Sequence, residues 1–280
     1  MANQAIVSVS WLSERIQDEK VVVLDVRFSP KDADYGKQAY DRGHLPGASF
    51  VNFKADLADK PQQHGGRSPL PSPEKLAALF GGLGIDQDSI VVVYEDKNGP
   101  AATRLWWVLS YLGVEQVYVL DGGYAAWTGA GLPVTAEADA PVRRELVPAP
   151  KGDWLASVQD VRQAIASGSA TLIDSRDRKQ FTGEEAPQDP VAGHIPGARH
   201  YFWKDALDEE ESWLPQSELA ERFAALPKQG EYIVYCGSGI TATPNVLALR
   251  EAGYTNVKLY AGSWSDWISY EENPIAVGEE

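Results

Sequence analysis

The chain has 280 residues, room for one large domain or two of ordinary size, and its 44% hydrophobic and 23% charged residues describe a globular rather than a disordered protein. A formal net charge of −15 argues against polyanionic partners, so neither nucleic acid nor an anionic membrane surface is expected. One cysteine excludes an internal disulfide and a multi-thiolate metal centre, so no metal or other cofactor is expected, and a lone thiol suits a reducing cytoplasm.

No segment approaches the roughly 20 apolar residues that span a bilayer. Met1 to Ser10 lacks a basic start followed by an apolar run, so no signal peptide is read. Val21–Val26 and Ile90–Tyr94 are short β-branched runs that predict buried parallel strands. Leu76–Phe80 and Thr103–Leu112 carry apolar residues at helical spacing. Val117–Leu120 reads as a strand closed by Gly122-Gly123. Thr135 to Gly152 holds three prolines and several charges without periodicity, the mark of a linker. Strands follow at Thr171–Asp174, Tyr232–Tyr235 and Val257–Tyr260, with helices around Ser217–Ala225 and Pro244–Ala252.

The chain repeats itself at half its length. Val22–Arg27 (VVLDVR) matches Thr171–Arg176 (TLIDSR), and Gly43–Ala48 (GHLPGA) matches Gly193–Ala198 (GHIPGA). Val91–Tyr94 then matches Tyr232–Tyr235, and Asp121–Trp127 matches Ala261–Trp267, all in one order. Two copies of an α/β domain with a mainly parallel sheet are therefore predicted. The boundaries read 1–136 for the first, 137–153 for the linker and 154–280 for the second.

Duplication supplies an internal control. After Tyr94 the first half continues with Glu95; after Tyr235 the second continues with Cys236, followed by GSGITA. Gly237 and Gly239 let the backbone curl so that N–H groups point inward as an anion nest, and Thr243-Pro244 suits a helix start. Such a cradle stabilises a thiolate, which is the nucleophile, and a bound persulfide after it. A buried, inert packing cysteine is the competing reading, and the position at the carboxyl edge of a parallel sheet argues against it.

These blocks resemble the rhodanese family of sulfurtransferases in its tandem form, over roughly Val7 to Pro274. The resemblance implies an inert first domain and a second that carries sulfur as a Cys236 persulfide. Sulfur passes from a small donor to a thiophilic acceptor such as cyanide or a thiol. The neutral loop Cys236–Ala242 is similar to that of mercaptopyruvate-specific members, and the resemblance makes Gly237, Ser238, Gly239, Ile240 and Thr241 the cradle. It further implies that Ser238 works with His44 and Asp34 from the first domain. A turn-fixing role competes for His44, as its copy His194 suggests. Two arginines that would hold a donor carboxylate are missing: Gln180 stands at one position and Gly183–Val191 has no basic residue. Arg176, Arg178, Lys179 or Lys204 are the candidate replacements, although Arg27 copies Arg176 in the inert half and suggests an ion pair for both.

Trp264 and Trp267 read as core, while Trp203 and Trp213 are candidates to line the cleft. His64-Gly65-Gly66-Arg67 reads as a flexible polar loop near the domain interface, with Arg67 a candidate substrate contact. Thiosulfate as donor, or a non-catalytic persulfide carrier, are the alternatives. A cysteine phosphatase is excluded because Ala242 stands where its arginine would be. A monomer is expected.

Overall fold

The computed structural model describes residues 4–279. The first half runs β1 (Ile6–Val7), α1 (Val9–Ser13), β2 (Val21–Asp25), α2 (Tyr35–Arg42), β3 (Ser49–Phe50), α3 (Phe53–Leu57), α4 (Pro73–Gly82), β4 (Ile90–Tyr94), α5 (Pro100–Tyr111), β5 (Gln116–Leu120) and α6 (Gly123–Gly129). The second runs β6 (Leu155–Ala156), α7 (Val158–Ser167), β7 (Thr171–Asp174), α8 (Arg178–Thr182), β8 (Arg199–His200), α9 (Gln216–Arg222), β9 (Tyr232–Tyr235), α10 (Thr243–Glu251), β10 (Val257–Tyr260) and α11 (Ser263–Trp267). Each half forms one five-stranded sheet, β1-β5-β4-β2-β3 and β6-β10-β9-β7-β8, and every ladder in both is parallel. The tandem α/β architecture is the predicted one.

The central strands are almost fully buried, as parallel strands covered on both faces must be. Helices begin earlier than periodicity suggested. α4 starts at Pro73, with Ser72 accepting from the Lys75 N–H, and α5 starts at Pro100. Capping and proline at the first turn set these starts, and apolar spacing does not register either.

α5 and α10 are the helices that follow β4 and β9, and both are buried along nearly their whole length. One continuous apolar cluster runs through both, taking in Trp106, Trp107, Val246 and Leu249. The halves therefore share a core, and the loops at the carboxyl ends of β4 and β9 are brought to one cleft. Residues 137–151 form no helix or strand but are strapped to the first half. Arg144 N–H donates to the Gly81 carbonyl, Ala149 N–H to Leu112 and Lys151 N–H to Tyr111, at 2.8–2.9 Å, with Leu146 buried beneath. Among the described residues no helix is long and apolar enough to cross a membrane.

Candidate active site

β9 ends at Tyr235, and Cys236 to Ala242 turn into α10 at the carboxyl edge of the sheet. The turn depends on Gly239, whose φ is +76° and where a Cβ would overlap the Ala261 carbonyl. That curl aims the Gly239 N–H back at the Cys236 sulfur, 3.2 Å away. Cys236 is 1% exposed and sits on the floor of the loop.

α11 buttresses the floor. The Cys236 N–H donates to Ser263 Oγ at 3.1 Å, and that hydroxyl donates to the Tyr260 carbonyl at 2.8 Å while lying 4.0 Å from the sulfur. Trp264 and Ser265 N–H groups donate to the Cys236 and Gly237 carbonyls. Ser263 is held at φ +56°, a strained conformation for a residue with a Cβ, whereas its counterpart in the first half is Gly123 at φ +54°. Sequence reading passed over Ser263; the glycine-to-serine change inside the repeated block was the available signal.

Arg104, on α5 of the first half, crosses to the loop. It is fully buried and its Nη1 donates to the Gly239 carbonyl at 2.9 Å. Burial draws its guanidinium down to about 10, and attraction to Cys236 works in the opposite direction. Sequence gave no sign of this contact because the two residues are 135 positions apart.

The pseudo-equivalent loop of the first half holds Glu95. Its carboxylate folds back into its own cradle, accepting from the Ala102 N–H at 2.9 Å, and a Cβ on Gly99 would come within 2.8 Å of it. Burial pushes this carboxyl up to about 7. The first half thus fills its anion nest with its own side chain, and the second half leaves its nest to the sulfur.

Both loops open on a cleft of about 620 Å³ between the domains, lined by Glu95 and Ala101 on one side and Gly237, Ser238, Ile240 and Thr241 on the other. Lys54, Arg67, Ser68, Arg176, Gln180 and Gln188 complete its polar lining.

The residues predicted for the site divide. Gly237, Ser238, Ile240 and Thr241 line the cleft, while Gly239 turns its N–H back onto the buried Cys236 sulfur. Arg176 reaches its wall, but three bonds of 2.6–3.1 Å tie its guanidinium to Asp174 and a fourth goes to the Gly193 carbonyl. Arg27 makes the same bonds to Asp25 and Gly43, so the ion-pair reading holds for both.

His44 and Asp34 are not brought to Cys236, and the arrangement implied with Ser238 is not assembled. His44 is fully buried under its own sheet, stacked on Tyr40 at 3.8 Å, with Nδ1 2.8 Å from the Tyr40 carbonyl and Nε2 3.2 Å from that of Glu137. Its ring is spent tying the GHLPGA segment to the end of α2 and to the strand-like segment at 135–137. Asp34 is exposed at the start of α2 and does not line the cleft. Arg178 pairs with Glu279, Lys179 with Glu185, and Lys204 lies over Trp203, so none of these lines the cleft. Trp203 and Trp213 do not line it either, and Trp213 is buried against the interface. The loop from His64 to Arg67 was expected to be flexible, and it is instead pinned to α11 by hydrogen bonds.

Known proteins share this arrangement. The Rhodanese-like domain model matches residues 8–130 and 157–270, one match per half. The chain belongs to the rhodanese family. It is 39% identical over 285 residues, covering all of both chains, to a probable 3-mercaptopyruvate sulfurtransferase of Pseudomonas aeruginosa. It is 32% identical to the thiosulfate sulfurtransferase of Gallus gallus, over 95% of this chain and 93% of that one. SseA from Escherichia coli, of the 3-mercaptopyruvate enzymes, superposes with a TM-score of 0.83 at 34% identity, over 94% of this chain and 100% of the other. In this rhodanese the cysteine, Cys236, lies in the second half, and the first half presents Glu95 at the matching place.

Proposed function

We propose that this rhodanese is a sulfurtransferase that takes a sulfane sulfur from 3-mercaptopyruvate onto Cys236 and passes it to a thiophilic acceptor such as cyanide or a thiol. The observation that carries the reading is the Gly239 N–H aimed at a buried sulfur on the floor of an interdomain cleft. The neutral loop GSGIT favours mercaptopyruvate as donor, and relatives named for that donor match over the whole chain.

The reaction balances in two steps. The Cys236 thiolate attacks the donor sulfur, forming an S–S bond as the S–C bond breaks. The electron pair leaves on the three-carbon fragment as an enolate, which takes up the proton of the donor thiol to give pyruvate. The loop N–H then faces a persulfide, the anion such a donor stabilises. Cyanide attacks the outer sulfur, the S–S bond breaks, thiocyanate departs and the thiolate returns.

Thiosulfate as donor is the second reading, favoured by Gln180 standing in the cleft where a carboxylate-binding arginine would be. We assign residues 1–136 to the inert domain, 137–153 to the linker and 154–280 to the catalytic one, in a monomer of a reducing cytoplasm. Steady-state thiocyanate formation from both donors tests the function. Cys236→Ser should abolish it and the persulfide mass increment with it; residual turnover in that variant sinks the mechanism.

A further inference from the structure

Both donors are anions, so on the sulfurtransferase reading the cleft needs a positive group within reach of the Cys236 sulfur. Three cations line it: Lys54, Arg67 and Arg176. Arg176 is committed to Asp174 and the Gly193 carbonyl, bonds that Arg27 duplicates in the half without a nucleophile. The other two both belong to the first domain.

Arg67 reaches the loop itself. A Cβ on Gly237, the residue after the nucleophile, would overlap Arg67 Nη2. The segment that carries it is held in place by several independent contacts. His64 Nδ1 lies 2.8 Å from Ser269 Oγ, and its ring stacks on Tyr270 at 4.0 Å. Gly65 N–H donates to Asp266 at 2.6 Å and Arg67 N–H to Ser265 Oγ at 3.1 Å. Gly66, at φ +81°, passes so close that a Cβ would strike the Gly262 carbonyl. These contacts all fall on the α11 region that buttresses Cys236, so the guanidinium and the sulfur share one support.

The side chain is oriented too. Nη1 pairs with Asp189, whose side chain is 6% exposed, and Nη2 donates to Gln188 Oε1 at 3.1 Å. A guanidinium has five N–H donors, so one carboxylate on Nη1 leaves room for a second anion, and a neutral amide oxygen is a weaker acceptor than an anion.

We infer that the inert domain is the anion-recognition half of the enzyme: Arg67 holds the carboxylate or sulfonate-type head of the donor in place of Gln188, with Lys54 adding positive potential at the rim. The second domain supplies the nucleophile and neutral glutamines. The complete site exists only where the two domains meet.

The test compares 3-mercaptopyruvate with its methyl ester, which keeps the sulfur and ketone but lacks the charge, in wild type, Arg67→Gln and Arg67→Lys. Wild type is expected to prefer the acid. Arg67→Gln should raise KM for the acid and for thiosulfate about 10- to 100-fold, and for the ester less than about 3-fold, with partial recovery in Arg67→Lys. A rise confined to one donor supports the site and assigns it to that head group. An equal rise for acid and ester, or no rise for either anion, overturns the inference. Pyruvate binding by calorimetry reads the anion site without turnover: Kd should rise at least about 10-fold in Arg67→Gln, whatever becomes of the sulfur-transfer reading.

Discussion

The hydroxyls of Thr103 and Thr243 meet 2.9 Å apart in the middle of the molecule, and the two residues occupy the same place in the two repeats, 140 positions apart. The local symmetry axis of the duplication therefore passes between α5 and α10. It sets the Glu95 loop opposite the Cys236 loop across one cleft, and it lets Arg104, one residue past Thr103, donate to the Gly239 carbonyl at 2.9 Å.

Arg104 makes that contact from the domain that carries no nucleophile. Arg104→Met leaves the Gly239 carbonyl without its buried donor and removes a positive charge that attracts the Cys236 thiolate. The rate of Cys236 alkylation by iodoacetamide at neutral pH, and of persulfide formation in a single turnover, should fall about 10-fold. Global stability should change by only about 1–2 kcal/mol, because replacing a buried charge by an apolar chain offsets its desolvation. An unchanged alkylation rate refutes the electrostatic role.

Ser263 accepts strain to place a hydroxyl under Cys236. Ser263→Gly relieves the φ of +56°, worth about 1 kcal/mol, and loses the bond to the Cys236 N–H, worth about as much. Melting temperature should therefore move little while kcat drops several-fold. A large loss of stability with kcat intact would show the serine to be a packing residue alone.

Glu95 is an acid kept partly protonated by burial. Its carboxyl titrates near 7 in the folded chain against a usual 4.5, so the native state binds more protons between those values. Stability must then fall as pH rises from about 4.5 to about 7, and the penalty is complete above that window. Glu95→Gln keeps an acceptor for the Ala102 N–H and removes the penalty. Chemical denaturation should show no gain at pH 4.5 and a gain of about 1–3 kcal/mol at pH 8, less than the full shift implies because the carboxylate edges the cleft.

His44 ties the GHLPGA segment to the end of α2. His44→Ala leaves the buried Tyr40 carbonyl without its ring partner, loses the half-buried contact to Glu137 and opens a hollow beside Tyr40, so unfolding free energy should drop by about 2–4 kcal/mol. At a temperature where the variant is folded, kcat/KM should stay within about threefold of wild type. A thousandfold loss of kcat with stability kept would return His44 to the catalytic step.

Much of this protein was legible in its residues taken in order. The duplication, the parallel strands and the exchange of Glu95 for Cys236 are local patterns, and a buried strand followed by a glycine-rich turn specifies its own geometry wherever it occurs. The structural ion pair of Arg176 was legible as well, because Arg27 repeats it in the half without the cysteine. What the chain order could not supply is which side chains cross between halves. His44 and Arg104 show the difference. One sits in a motif that suggested chemistry and is spent on its own backbone, 0% exposed; the other sits in an apolar helix that suggested only packing and reaches the active loop. Arg67 was one cation among several until the docking of its loop on α11 placed it over Gly237. A nucleophile is defined by the short segment that cradles it, whereas its electrostatic partners are set by how two separately folded halves pack, and that packing has no period in the sequence.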